Sequence, residues 1–275
     1  MKNSVFLDKV CIVTGGASGL GREVCQQLVA VGACVVLADI DFPRATEVVG
    51  EITRIGGTAK AVWVDVTNSE SVQALVEGAA TEFGRIDYLF NNAGTVVMGE
   101  IRDLSLEHWR RVIEINLFGG IYGIHYVYPI MIRQGFGHIV NTASGFGLAP
   151  GPLNSPYVAS KFALIGISHA LAIEAHAFGV DVSVVCPGFI QTPLIDNVKP
   201  LNADAKEMLG QIPVKMVPVE HAARIMLAGV AKKKTVIAFP AYVGVLVFLY
   251  RFMPWLYKRM GWKQIADFRS IRKAQ

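Results

Sequence analysis

The chain has 275 residues, of which 52% are apolar and 17% charged, with a formal net charge of +4. That composition fits a globular protein with a large core and excludes a disordered chain. The four cysteines, at positions 11, 25, 34 and 186, lie in apolar segments without Cys-x-x-Cys spacing, and the six histidines are scattered, so neither a disulfide framework nor a metal site is expected. The first nine residues are too short and too polar to read as a signal peptide.

Val10–Val13 is a short apolar run that ends in Thr14-Gly15-Gly16-Ala17-Ser18-Gly19-Leu20-Gly21. An apolar helical pattern follows through Val24, Leu28, Val29 and Val31. A glycine-rich loop between a buried strand and a helix can hold a diphosphate. The backbone approaches closely, and the helix start offers free N–H groups and partial positive charge. A second strand, Cys34–Ala38, ends at Asp39, just under twenty residues past the loop. A carboxylate there accepts hydrogen bonds from an adenosine ribose diol and repels a 2′-phosphate, which favours NAD over NADP. Arg44 lies past Pro43, at the start of the next helix, and Asp41 suits its cap.

Glu47–Ile55 continues that helix as far as Gly56-Gly57, and Ala61–Val64 is a third strand ending in Asp65-Val66-Thr67. Asn68 or Ser69 caps a helix that runs to about Phe83. Ile86–Phe90 is a fourth strand that leads into Asn91-Asn92-Ala93-Gly94. Helices over Leu104–Leu117 and Ile121–Ile132 follow; Asn116 lies among apolar neighbours and needs an internal partner. Gly137–Thr142 is a fifth strand leading to Ser144, Ser155–Phe178 a long helix, and Val182–Val185 a sixth strand. The turn Cys186-Pro187-Gly188-Phe189-Ile190-Gln191-Thr192-Pro193 leaves the sheet and opens a lid over about 190–215. Val219–Ala231 is helical and Thr235–Phe239 a seventh strand. Alternation with short links predicts an α/β fold with a parallel sheet covered by helices on both faces.

Tyr157 and Lys161 are four residues apart, one turn along the same helix face. A phenol titrates near ~10. A nearby ammonium favours the phenolate and is expected to lower that value, making the phenol a general acid or base.

Five signals agree in order: Thr14-Gly15-x-x-x-Gly19-x-Gly21, Asn91-Asn92-Ala93-Gly94, Asn116, Ser144 with Tyr157-x-x-x-Lys161, and Pro187-Gly188-x-x-x-Thr192. Together they resemble the short-chain dehydrogenase/reductase family over about residues 5–240. The resemblance implies a Rossmann-like, doubly wound, seven-stranded parallel sheet in a single domain, 1–240, followed by an amphipathic extension, 241–275. It implies a tetrad of Asn116, Ser144, Tyr157 and Lys161. Tyr157 would exchange the substrate proton and Ser144 steady the substrate oxygen. Lys161 would also grip the nicotinamide ribose, and Asn116 would hold a water linking Lys161 to solvent. It also implies that Gly15, Ser18, Gly19, Leu20 and Gly21 lie along the diphosphate of NAD. Asp39 would hold the ribose, with Asp65 and Val66 at the adenine. Asn91 and Gly94 would lie beside the cofactor, and Pro187, Gly188, Ile190 and Thr192 near the nicotinamide. The implied activity is hydride transfer between NAD(H) and an alcohol or ketone, with oxidation dominating. The rivals are an NADPH-dependent ketoreductase and a non-catalytic dinucleotide-binding sensor or scaffold. The family also suggests a homodimer or homotetramer through the helices around 117–134 and 155–178.

The candidate substrate lining is Met98, Phe146, Leu148, Phe189 and Leu194, with Leu153, Ile195, Leu201, Met208 and Leu209 nearby. None is cationic, so the expected substrate is a neutral, hydrophobic secondary alcohol or ketone of steroid, retinoid or fatty-chain type. The tail carries no charge from Thr235 to Tyr250, then Arg251, Lys258, Arg259 and Lys263 among Phe252, Trp255, Leu256, Tyr257 and Trp262. The apolar segment past the seventh strand is too short for the ~20 residues that span a bilayer. It suits either a membrane surface, aided by Lys232-Lys233-Lys234, or packing over the substrate mouth or a neighbouring subunit. A cytoplasmic protein is expected, membrane-associated under the first of these placements. No basic stripe points to nucleic acid.

Overall fold

The structure, a computed structural model, describes residues 4–196, 198, 200–210 and 214–272, with Asp196 and Leu209 described by their backbone alone. Seven strands form one sheet: β1 Val10–Thr14, β2 Cys34–Asp39, β3 Thr58–Trp63, β4 Tyr88–Asn91, β5 Gly137–Thr142, β6 Val180–Pro187 and β7 Val236–Phe239. Their order is β3-β2-β1-β4-β5-β6-β7, and every pairing is parallel. The order reverses between β1 and β4. The loops leaving these two strands part in opposite directions, which opens a crevice at the carboxyl edge of the sheet.

Alternate residues along each strand feed two separate cores. Cys11, Val13, Val35 and Leu37 pack with α1 (Gly19–Ala30), α2 (Phe42–Arg54) and α9 (Val219–Ala231). Ile12, Val36 and Ala38 pack with α3 (Ser69–Phe83), α5 (Gly119–Gln134) and α6 (Ser155–Ala175). A sheet covered on both faces needs apolar side chains on both, which is why the strands read as continuous Val/Ile/Leu runs. Each fully buried Val, Leu or Ile contributes about 1.5–3 kcal/mol.

The two helices expected over 104–117 and 121–132 form one continuous element. The short helix α4 (Leu106–Ile113) passes through a wider π-helical turn, Glu114–Phe118, into α5. The extra residue in that turn rotates Asn116 inward, where it is 2% exposed. Helices Leu106–Gln134 and Ser155–Phe178 are apolar enough by length and composition to cross a bilayer, but both pack on the sheet. The expected lid holds two short helices, α7 (Pro193–Asp196) and α8 (Ala205–Gly210), and residues 211–213 lie outside the described residues. Helices α10 (Ala241–Phe252) and α11 (Pro254–Ser270) complete the chain.

Candidate active site

The glycine loop follows directly from β1. Gly15 has φ +66°, and a Cβ there would stand 2.9 Å from Ala93 Cα, so only glycine lets this loop lie against the β4 loop. Thr14 Oγ1 accepts N–H bonds from Asn92 (3.0 Å) and Ala93 (3.2 Å), while Asn92 Nδ2 donates to Thr14 O (3.2 Å). The first turn of α1 contains no acidic residue, so its N–H groups face the crevice without a competing anion. Asp39 stands at the end of β2. Its Oδ2 accepts from Ala17 N (2.9 Å) and its Oδ1 from Asp41 N (3.0 Å), which ties the carboxylate to the glycine loop. A carboxylate has about four lone-pair directions, so capacity remains for a diol. Asp65 Oδ1 accepts from Thr67 N at 2.9 Å. Thr192 is buried and packs over Gly19, closing the loop from above.

These groups line a cavity of about 1280 Å³ that runs from Asp39, Asp65 and Val66, past Ser18, Gly19 and Leu20, to Ser144, Tyr157 and Lys161. Gly15, Gly94, Pro187, Gly188, Ile190 and Thr192 line it too, as do Met98, Phe146, Phe189 and Leu194. Four of the expected site residues, Asn116 and three others, do not, and of the residues expected nearby neither Leu201 nor Met208 does. At Gly21 an added Cβ would lie 2.1 Å from Gly15 O, so this glycine serves the packing of α1 against the loop. Asn91 turns into the core, where Nδ2 donates to Asn141 Oδ1 (2.9 Å) and Gly120 O (3.2 Å), joining β4, β5 and α5. Leu148 packs with Ala143, Ile165, Val184 and Cys186, because the short helical turn after Ser144 points it at the sheet. Asn92 and Thr67 line the cavity without having been expected there, and the tail, expected over the mouth as one alternative, lines it through Tyr242, Val243, Leu246, Leu249 and Tyr257, residues not individually expected. The 242/246/249 spacing is one helix face, the signal that could have found them.

Arg111 and Lys258 also border the cavity, against the expectation of a lining free of cations. Both are exposed, at the rim, because long cationic stems reach solvent more cheaply than they enter an apolar wall.

The four residues of the expected tetrad come together from three elements, Tyr157 and Lys161 both from α6. Ser144 follows β5, with Oγ accepting from Phe146 N at 3.1 Å. Tyr157 and Ser144 line the same cavity, and the Ser144 hydroxyl acts to lower the Tyr157 phenol. Lys161 is 3% exposed, donates to Thr142 O at 2.8 Å, and stands 5.4 Å from the centre of the Tyr157 ring. Asn116 Oδ1 accepts from Thr95 N (2.7 Å), and its Nδ2 donates to Thr95 O (2.9 Å) and Ser160 Oγ (3.2 Å). Asn116 therefore braces the β4 loop from behind Gly94.

Burial decides the titration of this group. It pulls the Lys161 ammonium from 10.5 down to about 8. That shift corresponds to a cost of about 3 kcal/mol in the charged form. Burial also raises the Tyr157 phenol, against the lowering expected from Lys161, and Ser144 only opposes it. Beneath them Cys186 is pushed up to about 12, also by burial.

The tail forms one wall. Tyr242 Oη accepts the Phe189 N–H at 2.7 Å and occupies the space beside Gly188. Val243 packs on Gly145, and Tyr257 Oη donates to Pro150 O at 3.2 Å. Its far end is pinned by ion pairs from Arg269 to Glu100 (2.6 Å) and from Arg272 to Glu100 (2.8 Å) and Asp103 (2.7 Å). The Arg269 hydrogen bond, with Arg102 beside it, holds the Glu100 carboxyl down at about 2. Of the placements expected for the tail, packing over the cavity is the one this portion takes. Lys232–Lys234 lie at the opposite end of β7 from the tail, and Lys233 is paired with Asp181 at 2.9 Å, so they do not extend the tail's basic face.

A family model described as short chain dehydrogenase matches residues 9–202. A cyclohexanol dehydrogenase of Acinetobacter sp. (strain SE19) is 41% identical over 193 residues, which is 69% of this chain and 76% of that protein. A D-beta-hydroxybutyrate dehydrogenase of Rhizobium meliloti (strain 1021) is 31% identical over 234 residues, 80% of this chain and 91% of that one. Among solved structures, a short chain dehydrogenase/reductase from Burkholderia phymatum in complex with NAD superposes with a TM-score of 0.83 at 28% identity, over 91% of this chain and 96% of that one.

Proposed function

The chain belongs to the short-chain dehydrogenase/reductase family, and on that premise we propose that it oxidises a neutral, hydrophobic secondary alcohol with NAD. One observation carries the reading. Tyr157 and Ser144 line one cavity, with Lys161 Nζ 5.4 Å from the Tyr157 ring, and that cavity runs unbroken to Asp39.

The residues fit the cofactor. Gly15 and Gly19 both have positive φ, and the loop they shape would be blocked by side chains. The start of α1 suits a diphosphate. Asp39, Asp65 and Val66 suit an adenosine, and Ile190, Thr192 and the Lys161 ammonium suit the nicotinamide riboside. When bound, the dinucleotide accepts the hydride. Tyr157 as phenolate takes the alcohol proton, and Ser144 Oγ holds the substrate oxygen. Lys161 uses one N–H on Thr142 O and keeps two for the cavity it lines. Its charge favours the phenolate once substrate and cofactor exclude water. Asn116 Oδ1 and Lys161 Nζ both approach the same face of Gly94, which supports a relay water between them. Met98, Phe146, Phe189 and Leu194, with the α10 face, suit an apolar ring or chain of steroid, retinoid or fatty type. The relative named for cyclohexanol supports a secondary alcohol.

Exposed Phe118, Phe162, Ile173 and Phe178 support a homo-oligomer through α5 and α6. A cytoplasmic enzyme whose tail meets a membrane surface is the corresponding location.

The test is NADH formation across a panel of apolar secondary alcohols, with NAD and NADP in parallel. The expected result is turnover with NAD and a preference that narrows in Asp39→Ala. Faster turnover with NADP would establish the ketoreductase reading, and no turnover on any alcohol or ketone would leave a binding protein.

A further inference from the structure

Helices α10 and α11 have two unlike faces. Tyr242, Leu246 and Leu249 turn toward the cavity. Phe248, Phe252 and Trp255 turn away and are 54%, 65% and 60% exposed. Exposed Arg251, Arg259 and Lys263 stand among these rings, and Arg251 lies 5.9 Å from the centre of the Phe252 ring. No aspartate or glutamate occurs between Ala241 and Ala266. A second feature joins the two faces. Val245, Tyr250, Met260 and Trp262 are exposed, yet they also border the cavity. The mouth of the cavity therefore opens through the exposed apolar face itself.

We propose that this face docks on an anionic phospholipid bilayer and that the cavity mouth takes its alcohol directly from the lipid. The proposal rests on the hydrophobic-alcohol reading above and adds the source of the substrate. Charge selects the occupant. A second copy of the face would bring cations against cations with no acid to pair them, whereas phosphate headgroups complement every one. Interfacial aromatic rings beside basic side chains suit the headgroup layer, where ring bodies enter the apolar boundary and charged tips stay wet. The face is too short to span a bilayer, so it lies in the interface plane. An apolar alcohol entering through a mouth rimmed by these rings would not cross water.

The experiment uses the full chain, vesicles of phosphatidylcholine with or without phosphatidylglycerol, and two substrates. One is a long-chain secondary alcohol dissolved in the vesicles; the other is a small water-soluble secondary alcohol. The expected results are co-flotation with phosphatidylglycerol vesicles only, and faster oxidation of the lipid-dissolved alcohol on binding. The triple variant R251Q/R259Q/K263Q should bind these vesicles on the order of 100-fold more weakly. F252S/W255S should also lose flotation. Both variants should keep wild-type rates on the water-soluble alcohol, since none of these five residues borders the cavity. Binding that ignores lipid charge, or a vesicle-bound enzyme that gains nothing on the lipid-dissolved alcohol, overturns the proposal. So does a dimer abolished by F252S/W255S. Loss of activity on the water-soluble alcohol in the wild type would instead defeat the alcohol-dehydrogenase reading.

Discussion

The catalytic corner and the α10–α11 hairpin handle polar groups in opposite ways. At the corner, Thr14, Asn91, Asn116 and Lys161 are buried, and each is tied to backbone or to another buried side chain. A misplaced group there has no water to fall back on, so the geometry is held from several strands at once. In the hairpin the cations are at the surface, the rings of Phe252 and Trp255 are outside, and ion pairs pin only the far end. Under the proposed function the difference separates two tasks: the corner fixes where atoms react, and the hairpin shapes what reaches them.

The sharpest way to break the contrast is to remove one atom from the corner. Tyr157→Phe is expected to lower kcat by about 10²–10⁴-fold, with NADH binding followed by fluorescence unchanged. Near-normal turnover would move the acid–base role elsewhere. The pH dependence of oxidation refines this. Rates should rise with pH until the phenolate is formed, and Lys161→Met should move that rise to higher pH by removing the cation.

Next in size is His138, buried in β5 with Nε2 2.8 Å from Ser183 Oγ, where burial lowers its pKa from 6.5 to about 4. The unfolded chain binds this proton more readily, so stability is complete above about 6.5 and is lost as pH falls toward 4. The loss reaches about 3 kcal/mol. Denaturant melts from pH 7 to 4 measure it, and His138→Gln should flatten that dependence. Gly21→Ala should cost about 1–3 kcal/mol by overpacking α1 against Gly15 O, read in the same melts.

The smallest global effect belongs to the hairpin. Arg272→Ala should barely move the melting midpoint, yet it should speed hydrogen exchange across α11. Because the Glu100 pKa is lowered to about 2, the clamp's contribution is present above about 4.5 and is lost as pH falls toward 2. Equal exchange in both proteins would show that Phe268, fully buried, holds the hairpin alone.

Much of the corner could be read in the sequence. The glycine loop, the acid at 39 and the Tyr157/Lys161 spacing are local, because a few consecutive residues set their geometry. The strands were legible for the same reason, with Gly137–Thr142 found at its observed limits. Burial on both faces gives each strand an apolar run that needs no partner to be recognised. Gly21 failed locally, against Gly15 in the same loop, whereas the failures at Asn91 and Leu148 involve distant segments. Leu148 and Asn91 have the right types for a cavity, and the core they turn into is built by neighbours far along the chain.

By itself the chain determined the alternation of strand and helix, the turn residues and the four-residue step from phenol to amine, all of which follow from local backbone preference and helical period. Tertiary structure alone decided that β1 lies beside β4, that Asn116 reaches Thr95, that burial outweighs the amine at Tyr157, and that the tail closes the cavity. Each of these is a contact or a loss of water between segments distant in sequence, and no local pattern records what a residue will be packed against.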